Sequence, residues 1–369
     1  MKKLNKFITT TLVASALTAA SASACTSFVI NADDGAVVYG RTMEWGMFDI
    51  HSRLAITPRG HNYTDYMPDG QDGFSHNTKY GFVAIDSIEE DYAVDGMNEK
   101  GLVVGVLYHP GTAVNQPYDP ELASQSLSSQ AVSNYILGQF STVEEVRNGL
   151  KDIRVVDRIE PKFGNSTLPV HWTVVDANND RIVVEYLNGE LTVFENPIGV
   201  MTNSPSFDWH INNLRNYLSL HGGEHDSVTI NGVKLTPIGG GTGLLGTPGD
   251  FTPPSRFVRA VAYTQTARDT KDGADAVNEA FRILDSFQLP VGSSEGGATL
   301  PEYLDYAQSS TTWTTSADAT NLKYYYHTQF NRQVRMIDLN EIDFSVKGMR
   351  YIPLDEKREQ SIVDVTPAK

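Results

Sequence analysis

The chain has 369 residues and a formal net charge of −16, with 45 acidic against 29 basic side chains. This balance argues against nucleic acid or an anionic membrane surface as a partner, and the length is enough for one large domain with a substantial core. A single cysteine excludes an intrachain disulfide and a thiolate metal site, although exported proteins ordinarily use cysteines in pairs.

The first segment reads as an export signal. Lys2, Lys3 and Lys6 form a basic stretch, residues 7–20 an apolar one too short to span a bilayer, and Ala22-Ser23-Ala24 a small-x-small cleavage site. Residues 1–24 are expected to be removed as a signal peptide between Ala24 and Cys25. That would leave residues 25–369 as a single catalytic domain in the periplasm or secreted. No other run reaches the ~18 apolar residues of a membrane span, so no membrane anchor is expected. The competing reading is a lipoprotein signal with Cys25 acylated, which would make the chain a lipid-anchored binding protein. Such signals usually want a Leu-like residue three positions before the cysteine, and Ala22 stands there.

Segments 25–30 and 36–40 flank Asn31-Ala32-Asp33-Asp34-Gly35, a turn composition, and predict a β-hairpin. Its second strand runs on into Arg41-Thr42-Met43-Glu44-Trp45. Further strands are expected at 54–58, 80–85, 92–97 and 102–108, with a turn at Asn98-Glu99-Lys100-Gly101 and a stop at His109-Pro110-Gly111. Helices follow at 128–138 and, capped by Thr142, at 143–151. Residues 171–175 and 181–186 form a second predicted hairpin. Strands at 191–195 and 199–202 precede a helix at 208–220. Residues 238–249 are glycine-rich but lack the Gly-Lys-Ser/Thr ending and the strand-to-helix context of a phosphate loop, so they read as a structural or substrate-lining loop. Helices at 255–266 and 274–287 lead to antiparallel strands at 313–316, 323–327, 334–338 and 344–346. The tail after Leu354 is polar and expected to be loose. The order of strands and helices, unbroken by repeat or linker, predicts an α+β fold with helices packed on antiparallel sheets.

Nine histidines are present. His221 and His225 are spaced by four, but Gly222-Gly223 between them breaks a helix, so no zinc-type pair, no metal and no cofactor is expected. Cys25 is different because cleavage would make it the first residue. A free N-terminal cysteine carries a thiol nucleophile together with an α-amine, whose ordinary pKa of ~7.7–8.0 suits a general base. One residue then supplies the nucleophile and its own base.

Several segments resemble the choloylglycine hydrolase family, which contains penicillin V acylases and conjugated bile salt hydrolases. They are Cys25-Thr26-Ser27, the run from Tyr39 to Trp45, Asp95-Gly96-Met97-Asn98-Glu99-Lys100-Gly101-Leu102, Met201-Thr202-Asn203-Ser204-Pro205-Ser206-Phe207-Asp208-Trp209 and Pro253-Pro254-Ser255-Arg256-Phe257. In family order they run from Cys25 to the Tyr324-Tyr325-Tyr326 region. The resemblance implies the four-layer αββα sandwich of N-terminal-nucleophile hydrolases, with two antiparallel sheets between helical layers. It also implies hydrolysis of a linear amide in a small acyl-amide substrate, and a possible homotetramer.

Carried over by position, Cys25 is the nucleophile and Arg41 stands beside the thiol, where a fixed cation favours the thiolate. Asn203 would give a side-chain N–H to the oxyanion hole, and Arg256 would support the site electrostatically. Two positions depart from the pattern. Glu44 stands where an Asp usually orients the α-amine, and reaches one methylene further. Tyr108 stands where bile salt hydrolases carry Asn and penicillin V acylases Tyr. With Tyr there, its backbone N–H becomes the second oxyanion donor, and the substrate tilts toward an aryl- or fatty-acyl amide. Bile salt conjugates and N-acyl homoserine lactones are the alternative substrates. Met43, Trp45 and Phe48, with Tyr108, are the candidate acyl-pocket residues, although core packing is the favoured role for Met43. Asn98 is expected to shape its turn.

Overall fold

A computed structural model describes residues 25–46, 49–293, 308–360 and 362–367; the expected signal peptide and Phe48 lie outside them. The first hairpin forms as its sequence predicts. Strands β1 (Thr26–Asn31) and β2 (Val37–Trp45) pair antiparallel, with Ser27 opposite Arg41. The chain continues through β3 (Arg53–Thr57), a hairpin of β4 (Asn62–Tyr66) and β5 (Asp72–Asn77), then β6 (Phe82–Ser87), β7 (Tyr92–Asn98) and β8 (Val103–Tyr108). Short strands β9 (Ser126–Ser128) and β10 (Arg154–Val156) pair in parallel and enclose helices α1 (Val132–Gln139) and α2 (Val143–Gly149). A meander of β11 (Val170–Val175), β12 (Arg181–Leu187) and β13 (Glu190–Glu195) is followed by α3 (Phe207–Leu214) and a hairpin of β14 (Val228–Ile230) and β15 (Val233–Leu235). Helices α4 (Pro253–Thr266) and α5 (Gly273–Asp285) precede the closing strands β16 (Ser310–Asp318), β17 (Lys323–Thr328), β18 (Arg335–Asp338) and β19 (Arg350–Pro353).

These elements build the αββα sandwich. One sheet has the order β1-β2-β16-β17-β18, the other β13-β12-β11-β8-β7-β6-β3-β19. Helices α4 and α5 cover the outer face of the first, and α1 packs on β7 and β8 of the second. One apolar core fills the space between the sheets and beneath α4 and α5. A second joins Val132, Ile136, Val143 and Val146 of α1 and α2 to Val104, Trp172 and Val184 of the sheet. Each large aliphatic side chain withdrawn from water in these cores contributes about 1.5–3 kcal/mol.

Strand β2 shows how the layers position the site. Both of its faces are covered, so all of its residues are buried. Side chains alternate across a strand, and a Cβ at Gly40 would lie 3.1 Å from Leu284 of α5. Gly40, Thr42 and Glu44 therefore face the helices, while Tyr39, Arg41, Met43 and Trp45 face the other sheet. There a side chain at Gly105 would overlap the Tyr39 hydroxyl, so the glycine is what lets the two sheets approach.

Several predicted boundaries move. The helix expected from 128 begins at Val132, because Ser126–Ser128 pair with β10 as strand. Residues 199–202 make only an isolated bridge through Met201. Phe344 is a single buried anchor between exposed or half-exposed residues rather than part of an alternating strand, and the last strand is Arg350–Pro353. The helix expected over 208–220 ends at Leu214 and tightens into a 3-10 turn at Arg215–Tyr217. Asn98 shapes its turn as expected: its Oδ1 accepts from the Lys100 and Leu102 amides. Residues 238–249 form an irregular loop around a 3-10 turn at Thr242–Leu244.

Candidate active site

Three backbone registers converge on Cys25. The β1–β2 pairing sets Arg41 and Met43 beside it, with Arg41 Nη2 3.4 Å and Met43 Sδ 3.6 Å from the Cys25 sulfur. Ser27 and Met201 exchange N–H···O bonds of 2.8 and 2.9 Å. Continuing that antiparallel count by two residues brings Asn203 opposite Cys25, whose nitrogen donates to Asn203 Oδ1 at 2.8 Å. The third register is in the second sheet. His109 N donates to Pro169 O at 2.8 Å, which makes the neighbouring Tyr108–Val170 pair a non-hydrogen-bonded one. The Tyr108 N–H and C=O therefore both point away from β11, and the carbonyl receives Asn203 Nδ2 at 2.8 Å.

Arg256, in the first turn of α4, locks this array. Its Nη1 donates to the Cys25 carbonyl and, at 2.9 Å, to Thr26 Oγ1; its Nη2 donates to Asn203 Oδ1 at 2.8 Å and its Nε to the Phe251 carbonyl at 2.8 Å. Burial pulls the Arg256 pKa down to about 10, against the opposing pull of Glu44. Cys25, Arg41, Tyr108, Asn203 and Arg256 thus form one continuous set of contacts. Cys25 is 1% exposed.

Glu44 lies on the opposite face of β2 from Arg41. Its position on β2 turns it to the helix side, where Oε1 accepts from Thr311 Oγ1 at 2.8 Å. Burial pushes its pKa up to about 7, against the pull of Arg256. The group holding the Cys25 nitrogen is Asn203. The Asn203 assignment also gains a detail: one hydrogen of Nδ2 is already used on the Tyr108 carbonyl, so a single hydrogen remains for an oxyanion.

The carboxylate beside Arg41 is Asp95 of β7. Arg41 Nη1 lies 3.6 Å from Asp95 Oδ2 and donates to the Val94 carbonyl at 2.6 Å, and the guanidinium sits 5.2 Å from the centre of the Trp313 ring. Asp95 also accepts from the hydroxyls of Tyr39, Thr315 and Tyr324. Burial works against the Arg41 charge, but Cys25, Tyr39 and Asp95 outweigh it and raise its pKa. Asp95 stands in the Asp95–Leu102 segment that carries the resemblance, yet nothing in its local pattern distinguishes a buried counter-ion from a turn acid. Asp95→Asn leaves a buried guanidinium without its counter-charge. The variant is expected to lose roughly 3 kcal/mol of stability, read from the urea midpoint; an unchanged midpoint would rule out a structural role for the pair.

The sulfur opens into a cavity walled by Met43, Trp45, Tyr92, Tyr108, Phe163 and Leu168. Trp45 meets Tyr108 and Phe163 edge to face, with ring centres 6.0 and 5.8 Å apart. Met43, Trp45 and Tyr108 were expected there. Tyr92, Phe163 and Leu168 were not, since they come from a strand, a 3-10 turn and a loop remote in sequence. The glycine-rich loop contributes nothing to this wall.

One buried set joins histidines that are far apart in the sequence. His109, His171 and Glu185 bring their polar atoms within 4.8 Å of one another. The two imidazoles stack, with centres 4.0 Å and planes 18° apart. A metal in the plane of one ring would lie far out of the plane of the other, so the set does not fit a metal centre.

Comparison with known proteins agrees with this architecture. Residues 25–352 match the family model described as linear amide C–N hydrolases, choloylglycine hydrolase family. A bile salt hydrolase/transferase from Clostridium perfringens is 35% identical over 322 residues, 86% of this chain and 93% of that protein. A penicillin V acylase from Pectobacterium atrosepticum is 29% identical, over 98% of this chain and 95% of that protein. The crystal structure of a variant conjugated bile acid hydrolase from Clostridium perfringens superposes with a TM-score of 0.77 at 30% identity, covering 93% of this chain and all of that one. With its β-sandwich, its cysteine site and these similarities in agreement, the chain belongs to the choloylglycine hydrolase family of linear amide C–N hydrolases.

Proposed function

We propose that the chain is an exported amidase in which removal of residues 1–24 frees Cys25 as an N-terminal nucleophile, and that it prefers amides of an aryl or linear acyl group, as in penicillin V. One observation carries this reading: the nitrogen, carbonyl and sulfur of Cys25 each meet a different buried partner, Asn203, Arg256 and Arg41, while the sulfur opens into an aromatic cavity.

The thiol proton passes to the α-amine, and the sulfur attacks the amide carbonyl. Arg41 stabilises negative charge on the sulfur. The remaining Nδ2 hydrogen of Asn203 and the Tyr108 N–H bind the developing oxyanion; such a donor is worth roughly 3–4 kcal/mol. The resulting ammonium protonates the departing amine. Water then cleaves the thioester, releasing the acid and restoring the thiol.

A second reading, hydrolysis of bile salt conjugates, is supported by the similarity to the Clostridium perfringens protein. The Tyr108 ring set edge-on to Trp45 narrows the wall and favours a flat or linear acyl group over a steroid; N-acyl homoserine lactones would also satisfy it. The homotetramer implied by the resemblance belongs to the same proposal. The test combines intact mass of the exported protein with kcat/KM on a phenoxyacetyl amide, a bile conjugate and an acyl homoserine lactone. The reading expects a mass beginning at unmodified Cys25 and the highest kcat/KM on the phenoxyacetyl amide. A different start or a lipid-sized addition removes the free amine and ends the mechanism, and a bile conjugate ranking first replaces the substrate.

A further inference from the structure

Resting on the reading that Asn203 serves Cys25, we propose that the buried His171–Glu185 pair is a positioning device that sets the Asn203 segment by sharing one proton. His171 on β11 and Glu185 on β12 are cross-strand neighbours, one step beyond the Trp172–Val184 pair. His171 Nδ1 lies 3.0 Å from Glu185 Oε1, and His171 Nε2 lies 2.8 Å from the Thr202 carbonyl. Glu185 Oε1 also accepts from the Phe207 amide at 3.1 Å. The pair therefore holds residues 202–207 at both ends, through Thr202 and through the first residue of α3. Between them His210 Nε2 meets the Asn203 carbonyl at 2.8 Å, and His109 Nδ1 is 3.4 Å from Ser204 Oγ.

The proton count follows from the partners. A carbonyl only accepts, so His171 Nε2 carries a hydrogen in the Thr202 contact. A second proton must then lie between Nδ1 and Oε1, because without it two lone pairs would face each other at 3.0 Å. Burial pushes Glu185 up to about 7 and His171 down to about 3, which favours the neutral form, with the carboxyl O–H donating to Nδ1. His109, His210, Asp208 and Arg41 are the other titratable or charged groups acting on the pair. His109 and His210 are themselves driven toward neutrality by burial. A raised carboxyl pKa means that the pair is intact at low pH and is lost as pH rises past the Glu185 value. The Thr202 anchor then loosens, and Asn203 drifts from its place opposite Cys25.

The test compares the mature wild type, Glu185→Gln and Glu185→Leu. Leucine removes the link, and kcat is expected to fall on the order of 10²-fold with little change in KM, the cost of a misplaced catalytic group. Glutamine can still donate to Nδ1 while giving up the Phe207 contact, and is expected to stay within about tenfold of wild type. Glutamine cannot titrate, so the ratio of wild-type to Glu185→Gln kcat should fall on the alkaline side. A leucine variant with full kcat, or identical alkaline profiles for wild type and the glutamine variant, overturns the proposal. If Glu185→Leu does not fold, the pH comparison decides alone. The rate of Cys25 alkylation by iodoacetamide is followed in the same proteins and over the same pH range. If wild type hydrolyses no amide, the nucleophile reading has failed; a wild-type to Glu185→Gln alkylation ratio constant with pH would then separately reject the pair's control over the surroundings of Cys25.

Discussion

Replacing Cys25 with alanine is expected to reduce amide turnover on the order of 10⁴-fold or more, the scale on which loss of a nucleophile operates. The fold should survive. The substitution removes one sulfur from a buried position, and the backbone contacts to Asn203 and Arg256 use atoms that alanine also has. Cys25→Ser is the sharper variant because it keeps a nucleophilic atom of similar shape. A hydroxyl holds its proton far more tightly than a thiol, so neither the α-amine nor the Arg41 guanidinium can activate it comparably. Serine should therefore also be severely impaired, with a melting temperature close to wild type. Both variants must be prepared with their N-termini verified by mass, since a failure of signal removal would mimic the loss. Undiminished turnover by either one would exclude covalent chemistry at Cys25.

Asn203→Ala is expected to cost 10²–10³-fold in kcat, about 3–4 kcal/mol, if its amide donates to the oxyanion. The side chain joins what would otherwise be separate parts: its Oδ1 receives the Cys25 nitrogen and Arg256 Nη2, and its Nδ2 reaches the Tyr108 carbonyl. Truncation leaves these groups without their partner, so stability should fall as well, by about 1–3 kcal/mol for each buried group left unsatisfied. Asn203→Asp separates the two effects. An aspartate can still accept from Cys25 and Arg256, but it presents a second acceptor to the Tyr108 carbonyl and to the oxyanion. It should lose at least as much kcat as alanine, and a kcat near wild type would remove Asn203 from the oxyanion site.

Much of this architecture was readable from short-range patterns. The turn composition between Ile30 and Ala36 predicts the hairpin that carries Cys25 and Arg41, and the Thr142 cap predicts the start of α2, where its side chain accepts from the Glu145 amide. Period-two alternation along β2 also contained the information that Arg41, Met43 and Trp45 share one face while Glu44 takes the other. A motif transfers residue identities, but the side of the strand decides what each one meets: Glu44 Oε1 accepts from Thr311 Oγ1, while Arg41 reaches the sulfur.

Sequence alone determined the strand-rich α+β character of the chain and the hairpin that brings Arg41 to the sulfur. Both depend on residues close together in the chain. Tertiary structure decided the rest. Asp95 became the partner of Arg41 because β7 lies in the facing sheet. Tyr92 and Phe163 became cavity walls because their segments reach the Cys25 end of the sandwich. Asn203 came opposite Cys25 through the single bridge between Ser27 and Met201. Such contacts rest on the register and stacking of strands far apart in sequence, where a shift of one residue turns every side chain to the opposite face, and no local pattern encodes that choice.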